Sequence, residues 1–510
     1  MADAKGFSLQ PAPRREEAHS RLPIFLIVIG FGLFRLLYAG LVNLSPQEAY
    51  YWVWSLHPAL SYFDHPPMVA YSIKAFTAIL GDSVYAVRLP AILYGTGTTL
   101  VVYSLAAGFF GPRAGWICAL LLNLTIGFTP PFFFTTPDSP LIFFWSLTLL
   151  WVWKAAGEER KGFWYLAGIS WGLALLSKYT AAFLGLSTLL WLLLARDLRR
   201  EFKRPGLYFS VLLAVIVFGP VILWNSQNHW ASFLFQSKDR FSPAVFISLE
   251  NFFAYVASQM GLMNPLLFAG FMAVLFHGVR RWRGAAGPGE RFLLAGALVP
   301  LVFFTLASTR VYIKVNWPTM AYPALLILLA GYYGKGVWTA RWIRKYYVPA
   351  VWTLAVAFFA LAHLLLPWKS IPLSSSLDTL TGWPEAAARV RALQEELSSQ
   401  GPTFILAWDH KTAAELQFHL GRNEPVYCRN LIGLHVLAYD FWRVPADLGG
   451  KNALIVWTNV DPLPTEGEVN ARKAFSSLSG LNAFDVYRGR QKIRTFFFSH
   501  GVNYQPSSLK

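Results

Sequence analysis

Two short stretches set acids among aromatic rings, and a third sets one between prolines. Ser45-Pro46-Gln47-Glu48-Ala49-Tyr50-Tyr51-Trp52 is followed by Ser61-Tyr62-Phe63-Asp64-His65-Pro66-Pro67, and Thr135-Thr136-Pro137-Asp138-Ser139-Pro140 comes later. A carboxylate among Trp and Tyr at a bilayer surface is costly unless it is paired or used. A carboxylate is also a fitting general base for a hydroxyl proton. Glu48, Asp64 and Asp138 are therefore the candidate catalytic acids. Asp138 reads equally as an N-cap for the apolar run behind it. Carboxylates joined by His65 or His229 can hold a divalent cation such as Mg, Mn or Zn. The candidate metal ligands are Glu48, Asp64, Asp138 and His229, although their spacing is not local.

A second group of residues is cationic. Lys178 sits in Ser177-Lys178-Tyr179, and one later loop holds Asn225, His229, Lys238 and Arg240. The next loop holds Arg310, Tyr312, Lys314, Asn316 and Trp317. A few cations among so many carbon atoms suit a phosphate held at a bilayer surface. The alternative for any one of them is snorkelling to lipid headgroups. With Tyr51 and His65, the residues Lys178, His229, Lys238, Arg240, Arg310 and Lys314 are the candidate substrate-binding set. Arg35 lies inside the first apolar run and Arg88 opens the second, and each is expected to pair structurally with an acidic or carbonyl group. A Walker-type glycine loop is lacking, which argues against an NTPase. Cys118 and Cys428 lie in unlike surroundings without a C-x-x-C spacing, which excludes a disulfide scaffold.

The elements that must carry these groups are membrane helices. The chain has 510 residues, 55% hydrophobic and 14% charged, against about 25% charged in a soluble chain. The net charge of +17 would suit nucleic acid in a soluble protein, but the basic residues cluster between apolar runs. Membrane orientation explains them better, and no nucleic-acid partner is expected. Eleven runs are long or nearly long enough to span, at about 22–42, 85–110, 114–130, 140–156, 163–176, 180–195, 207–224, 262–280, 292–307, 318–334 and 348–366, with room for two more. The first is too long for a signal-peptide core and no A-x-A site follows it. Alternate loops carry 20 basic residues on one side and six on the other, so the N-terminus is expected in the cytoplasm. With an odd number of spans the tail is outside.

The expected architecture is a polytopic α-helical membrane protein with about 11–13 spans. Residues 1–20 are read as a disordered cytoplasmic tail and 21–367 as the catalytic membrane domain, with interfacial helices at about 45–80. Residues 368–510 are read as a periplasmic α/β domain, with strands at Thr403–Trp408, Pro425–Cys428, Ala453–Thr458 and Phe484–Arg488 and a helix at Lys411–Leu420. The candidate acids and cations all fall in the outer loops, where nucleotide-activated donors are generally absent. A lipid-linked phosphate fits such a site, with its tail between helices, its phosphate on Lys or Arg and its reacting group facing a carboxylate.

At these residues the chain resembles the GT-C glycosyltransferases, and among them the protein O-mannosyltransferase-related bacterial group that includes the lipid A aminoarabinose transferases. The matching pieces are Gln47 to Trp52, Tyr62 to Pro67, Thr136 to Pro140, Lys178 and Lys314-Val315-Asn316-Trp317-Pro318. They cover the first two thirds of the chain in matching order. The resemblance implies a polyprenyl-phosphate sugar donor and an acceptor, whether lipid A or its core, another glycan or a protein, on the outer face of the inner membrane. It implies an inverting displacement with a carboxylate base. Gln47 stands where this family usually has a catalytic Asp, and glutamine cannot serve as a base. The expectation is Glu48 acting with Asp64, against a chain that has lost activity. A transporter or lipid flippase is the alternative function, disfavoured because the acids lie in outer loops and no internal repeat is visible. A monomer is the default stoichiometry.

Overall fold

The computed structural model describes residues 14–239, 247–282, 286–334, 351–360, 379–458 and 465–506. It divides into two compact units. One holds the chain to Leu37, His65–Met68 and Pro90–Leu361, and the other holds Tyr38–Asp64, Val69–Leu89 and Ala362–Lys510.

The chain begins with α1 (Arg14–Ala39), α2 (Pro46–Leu56), α3 (Met68–Leu80) and α4 (Val84–Phe110). It continues through α5 (Pro112–Leu124), α6 (Asp138–Val152), α7 (Phe163–Ser177), α8 (Ala182–Leu194) and α9 (Pro205–Gln227). The remaining helices of the first unit are α10 (Leu249–Met263), α11 (Pro265–Arg281), α12 (Pro288–Ser308), α13 (Tyr322–Gly334) and α14 (Val351–Ala360). Each of the eleven expected runs carries a helix. α1 is already helical at Arg14, inside the segment expected to be a disordered tail, because Arg-Arg-Glu-Glu-Ala is made of good helix formers. Residues 1–13 of that tail lie outside the described residues.

Among the described residues five helices are long and apolar enough to cross a membrane, or seven if each of two bent pairs is one span. α10 and α11 form one such pair, bent by 109°. α10 was not among the expected runs; its polar residues include Glu250, Asn251 and Gln259, which break the apolar stretch. Large rings such as Trp145, Trp191, Phe271 and Phe304 fill the interior of this unit. α7 meets α9 through a Gly-x-x-x-Gly pair. A Cβ on Gly168 would stand 2.4 Å from the Ser210 carbonyl oxygen, and one on Gly172 would stand 2.5 Å from Val217. Small residues let membrane helices approach this closely.

In the second unit α15 (Trp383–Ser398) leads to β1 (Thr403–Ala407), α16 (His410–Leu420), β2 (Val426–Cys428) and β3 (Asn452–Thr458). α17 (Thr465–Ala474), β4 (Phe475–Arg488) and β5 (Gln491–Tyr504) complete it. The sheet order is β2-β1-β3-β5-β4. β1 pairs in parallel with β2 and β3, whereas β5 runs antiparallel to β3 and β4. Alternation along β1 splits the core: Ile405 and Ala407 join the α15 and α16 side, and Phe404 and Leu406 face Trp457 and Tyr504. This is the expected α/β module, with a longer terminal hairpin. β5 went unread because its Phe496-Phe497-Phe498 run hides the period of two.

The loop between α1 and α4 packs within this second unit. Tyr50, Trp52 and Trp54 of α2 are each fully buried. A helix apolar on every side needs cover on every side, and α16 supplies part of it: Trp52 meets Phe418 edge-on at 5.1 Å, and Tyr50 meets His410 at 4.7 Å.

Candidate functional site

In the second unit the acids of the first loop are held by two unlike partners. Ser45 is the N-cap of α2, with Pro46 in the first turn and Glu48 at the third position. The Glu48 carboxylate accepts from the Ser45 backbone N–H at 2.9 Å, and the Glu48 N–H donates to Ser45 Oγ at 3.3 Å. This is a capping box, legible in the sequence as Ser-x-x-Glu. Arg88, in the first turns of α4, completes the arrangement. Its Nε donates to Glu48 Oε1 at 3.1 Å and its Nη2 to Oε2 at 3.0 Å. Its Nη1 donates to the carbonyls of Ala39 and Val42 at 2.9 and 2.7 Å, and its Nη2 to that of Asn43 at 2.5 Å. Both side chains are fully buried. Arg88 therefore pairs structurally, as its position implies, and its partner is the residue expected to act as base.

Asp64 is met differently. The Tyr50 hydroxyl lies 3.3 Å from both Asp64 oxygens and itself accepts from the Ala438 backbone N–H at 3.1 Å. Burial, helped by the Asp64 charge, pushes the Tyr50 hydroxyl well above the ordinary tyrosine range, so it stays protonated and donates. The turn is fixed by Tyr62, whose hydroxyl donates to the Trp54 and His57 carbonyls at 2.9 and 3.1 Å and whose ring stacks on Trp54 at 4.3 Å. Tyr51, an expected substrate contact, is buried with its ring 5.0 Å from Trp54.

In the first unit, three of the expected motifs converge. Asp138 opens α6, and Lys178 closes α7. Lys178 Nζ donates to Asp138 Oδ1 at 2.7 Å, and Asn316 Nδ2 donates to Oδ2 at 2.6 Å. The acid at a helix N-terminus and the cation at a C-terminus each suit the local helix dipole. Asn316 lies inside a motif singled out in the sequence, yet amide residues carry no charge signal, and its pairing was not anticipated.

The other candidates are placed more loosely. His229 is exposed, and with Trp230 it adopts a left-handed backbone. Lys238, Arg310 and Lys314 are exposed, and His65 is half-buried. Arg240 lies outside the described residues. Arg35 departs from its expected acidic or carbonyl pairing. It is 2% exposed, its Nε and Nη2 have no hydrogen-bond partner among the described residues, and its guanidinium lies over the rings of Phe132 and Phe31 at 5.3 and 5.6 Å. Ring faces take the place of an anion there. Among the described residues no group of three or more His, Cys, Asp or Glu gathers to hold a metal ion. The expected ligands have other partners: Glu48 has Arg88, and Asp138 has Lys178.

The first unit also holds an apolar groove of about 600 Å3. Tyr179, Phe233, Phe303, Leu306 and Ala307 line it, with Gln236 and Ser237 as its polar wall. Lys178, Lys238 and Arg310 flank these lining segments in sequence. Carbon walls next to cations suit a lipid chain ending in a phosphate.

Residues 64–224 match the family described as dolichyl-phosphate-mannose-protein mannosyltransferase. The lipid A galacturonosyltransferase RgtD of Rhizobium johnstonii is 28% identical over 84% of this chain and 89% of its own length. The undecaprenyl phosphate-alpha-4-amino-4-deoxy-L-arabinose arabinosyl transferase 2 of Pseudomonas fluorescens is 24% identical over 54% of this chain and 50% of its own length. Among solved structures, ArnT from Cupriavidus metallidurans superposes with a TM-score of 0.61 at 16% identity, covering 93% of this chain and 97% of that one. The same enzyme bound to undecaprenyl phosphate gives 0.57 at 17%, with the same coverage. At such identity these structures establish the fold.

Proposed function

We propose that the chain is a GT-C-type glycosyltransferase, similar to the protein O-mannosyltransferase-related group, that moves a sugar from a polyprenyl-phosphate donor to a lipid or glycan acceptor. It is a multi-pass protein of the inner membrane. The observation that carries the donor half is the apolar groove, whose lining segments stand next to Lys178, Lys238 and Arg310 in sequence. The polyprenyl tail takes the carbon walls and its phosphate takes the cations.

Asp64 is the base. Its placement is favoured over Glu48, which is fully buried with both oxygens engaged by Arg88. In the displacement the acceptor hydroxyl oxygen forms a bond to the anomeric carbon of the donor sugar. Its proton passes to an Asp64 oxygen, oriented by the Tyr50 hydroxyl. The bond from the anomeric carbon to the phosphate oxygen breaks with its electron pair, and the configuration inverts. A cation is required to stabilise the charge on the departing polyprenyl phosphate. The base is supported by residues other than Gln47, so the missing Asp of the first motif does not imply a silent chain. Among the described residues the expected ligands do not gather into a divalent-metal site.

The excess of basic residues on one side supports a cytoplasmic N-terminus and a C-terminal domain outside. A lipid A relative at 28% identity supports a lipid or glycan acceptor over a protein. The test is transfer of radiolabelled sugar from short-chain polyprenyl-phosphate donors to a cell-envelope extract by purified protein. Label moved by the wild type and lost in Asp64→Ala supports the reading. Equal transfer by both removes Asp64 as base.

A further inference from the structure

The second unit contains a cavity of about 230 Å3 that the displacement does not use. One wall is a plate of rings: Trp442 stacks on His57 with centroids 4.4 Å apart at 16°, and Tyr439 packs on Trp442 at 4.5 Å. The rim carries two guanidinium groups. Arg422 is held by Asp82, which accepts from Nε at 2.5 Å and from Nη2 at 2.8 Å; its Nη1 makes no hydrogen bond among the described residues. Arg443 is exposed and makes no ion pair or hydrogen bond among the described residues. Gln417, 6% exposed, adds an amide to the wall. The Tyr439 hydroxyl is buried without a hydrogen-bond partner among the described residues, in a side chain only 5% exposed.

Each feature points to the same kind of ligand. A ring plate offers an apolar face to the C–H face of a pyranose. An orphaned buried hydroxyl is satisfied when a ligand hydroxyl reaches it. Guanidinium groups in pairs recognise carboxylate or phosphate. The volume falls below the roughly 300–1,000 Å3 of a drug-sized site, so it takes about one ring with its substituents. We propose that this cavity binds a single saccharide ring bearing an anionic group, as part of the acceptor. The acceptor assignment rests on the transferase reading above; the binding site itself does not.

The test uses the full chain in lipid nanodiscs. Glucuronate and glucosamine 1-phosphate are titrated by saturation-transfer NMR, with glucose as the neutral control. Saturable binding of an anionic sugar, with glucose weaker by at least about tenfold, is expected. The two anionic arms distinguish carboxylate from phosphate as the recognised group. Trp442→Ala and Arg443→Gln should each weaken binding by about tenfold, and the exposed Arg443→Gln should leave thermal unfolding unchanged. Glucose binding as well as the anionic sugars, variants binding like the wild type, or no saturable binding at all each overturns the site. In the transfer assay Trp442→Ala should raise the acceptor KM and leave the donor KM alone. Lost binding with an unchanged acceptor KM overturns the acceptor assignment. Binding without transfer from any polyprenyl donor overturns the transferase reading and leaves the saccharide site standing.

Discussion

Glu48 and Asp64 belong to one loop, and both looked like bases, yet they are held in opposite ways. Glu48 is fully enclosed, with both oxygens bonded by a guanidinium that also closes the end of α1. Asp64 is 5% exposed and is met by a phenol that stays neutral. The guanidinium engages both Glu48 oxygens through two nitrogens, whereas the phenol reaches Asp64 through a single hydroxyl. If Asp64 is the base, the partner, more than the residue type or the motif, decides which acid can do chemistry.

The sharpest way to break this contrast is to truncate both acids. Asp64→Ala should lower transfer by about 10²–10⁴-fold, the range for a lost general base, with a stability loss of about 1–3 kcal/mol for the stranded Tyr50 hydroxyl. Glu48→Ala should act on the fold: Arg88 stays buried without its partner, at about 3–5 kcal/mol, read as a large drop in unfolding temperature in detergent. If Glu48→Ala folds normally and loses only turnover, the roles are reversed. The paired change Glu48→Leu with Arg88→Met should recover much of that stability, since it removes both charges together.

The Asp138–Lys178 pair extends the comparison to the first unit. Lys178→Ala should cost about 1–3 kcal/mol for the stranded acid and should raise the donor KM. Lys178→Ala with an unchanged donor KM would confine the pair to a structural role.

Glu415 gives a smaller, pH-dependent effect. It is fully buried on α16, and burial, reinforced by the Glu48 charge and opposed by Arg494 and Arg88, raises its carboxyl well above the ordinary glutamate range. A raised folded value means that the stability gained from proton binding is complete below the unfolded pKa. It is lost as pH climbs from there toward the folded value. Glu415→Gln lacks that loss, so its stability advantage should widen as pH rises above the ordinary glutamate range. Parallel curves would mean that Glu415 is ionised in the folded chain.

The weakest effect belongs to the rim. Asp82 is partly exposed, and Arg422 more so. Burial raises the Asp82 carboxyl, but hydrogen bonds from Arg422 and Trp52 outweigh it and hold it below the usual value. Asp82→Asn should cost about 1 kcal/mol or less by thermal unfolding at pH 7, and the difference should vanish as pH falls through the depressed folded value.

The membrane helices were legible because apolar length is a one-dimensional property. The strands of the α/β domain were legible where they are short and uniformly apolar, as in β1 and β3. α15 was not, because Trp383 to Ser398 mixes charges with alanines and offers only a narrow apolar stripe. The site was legible as a set of residue types and illegible as a set of pairs. Arg88 was expected to find some acid, but nothing in the spacing names Glu48, 40 residues away. The capping box was readable from Ser45 and Glu48 alone and would have shown that Glu48 already had work at the helix end.

The reach of Arg88 also sets an order of events during synthesis. Ala39 and Arg88 are 49 residues apart, which a ribosome adding about 5–20 residues per second covers in roughly 2–10 seconds. Throughout that interval the open carbonyls at the end of α1 and the Glu48 carboxylate must remain hydrated. The first loop therefore cannot settle when its own residues emerge; it waits for the opening turns of α4, and a nascent chain stalled before residue 88 presents an unfinished hairpin to the membrane.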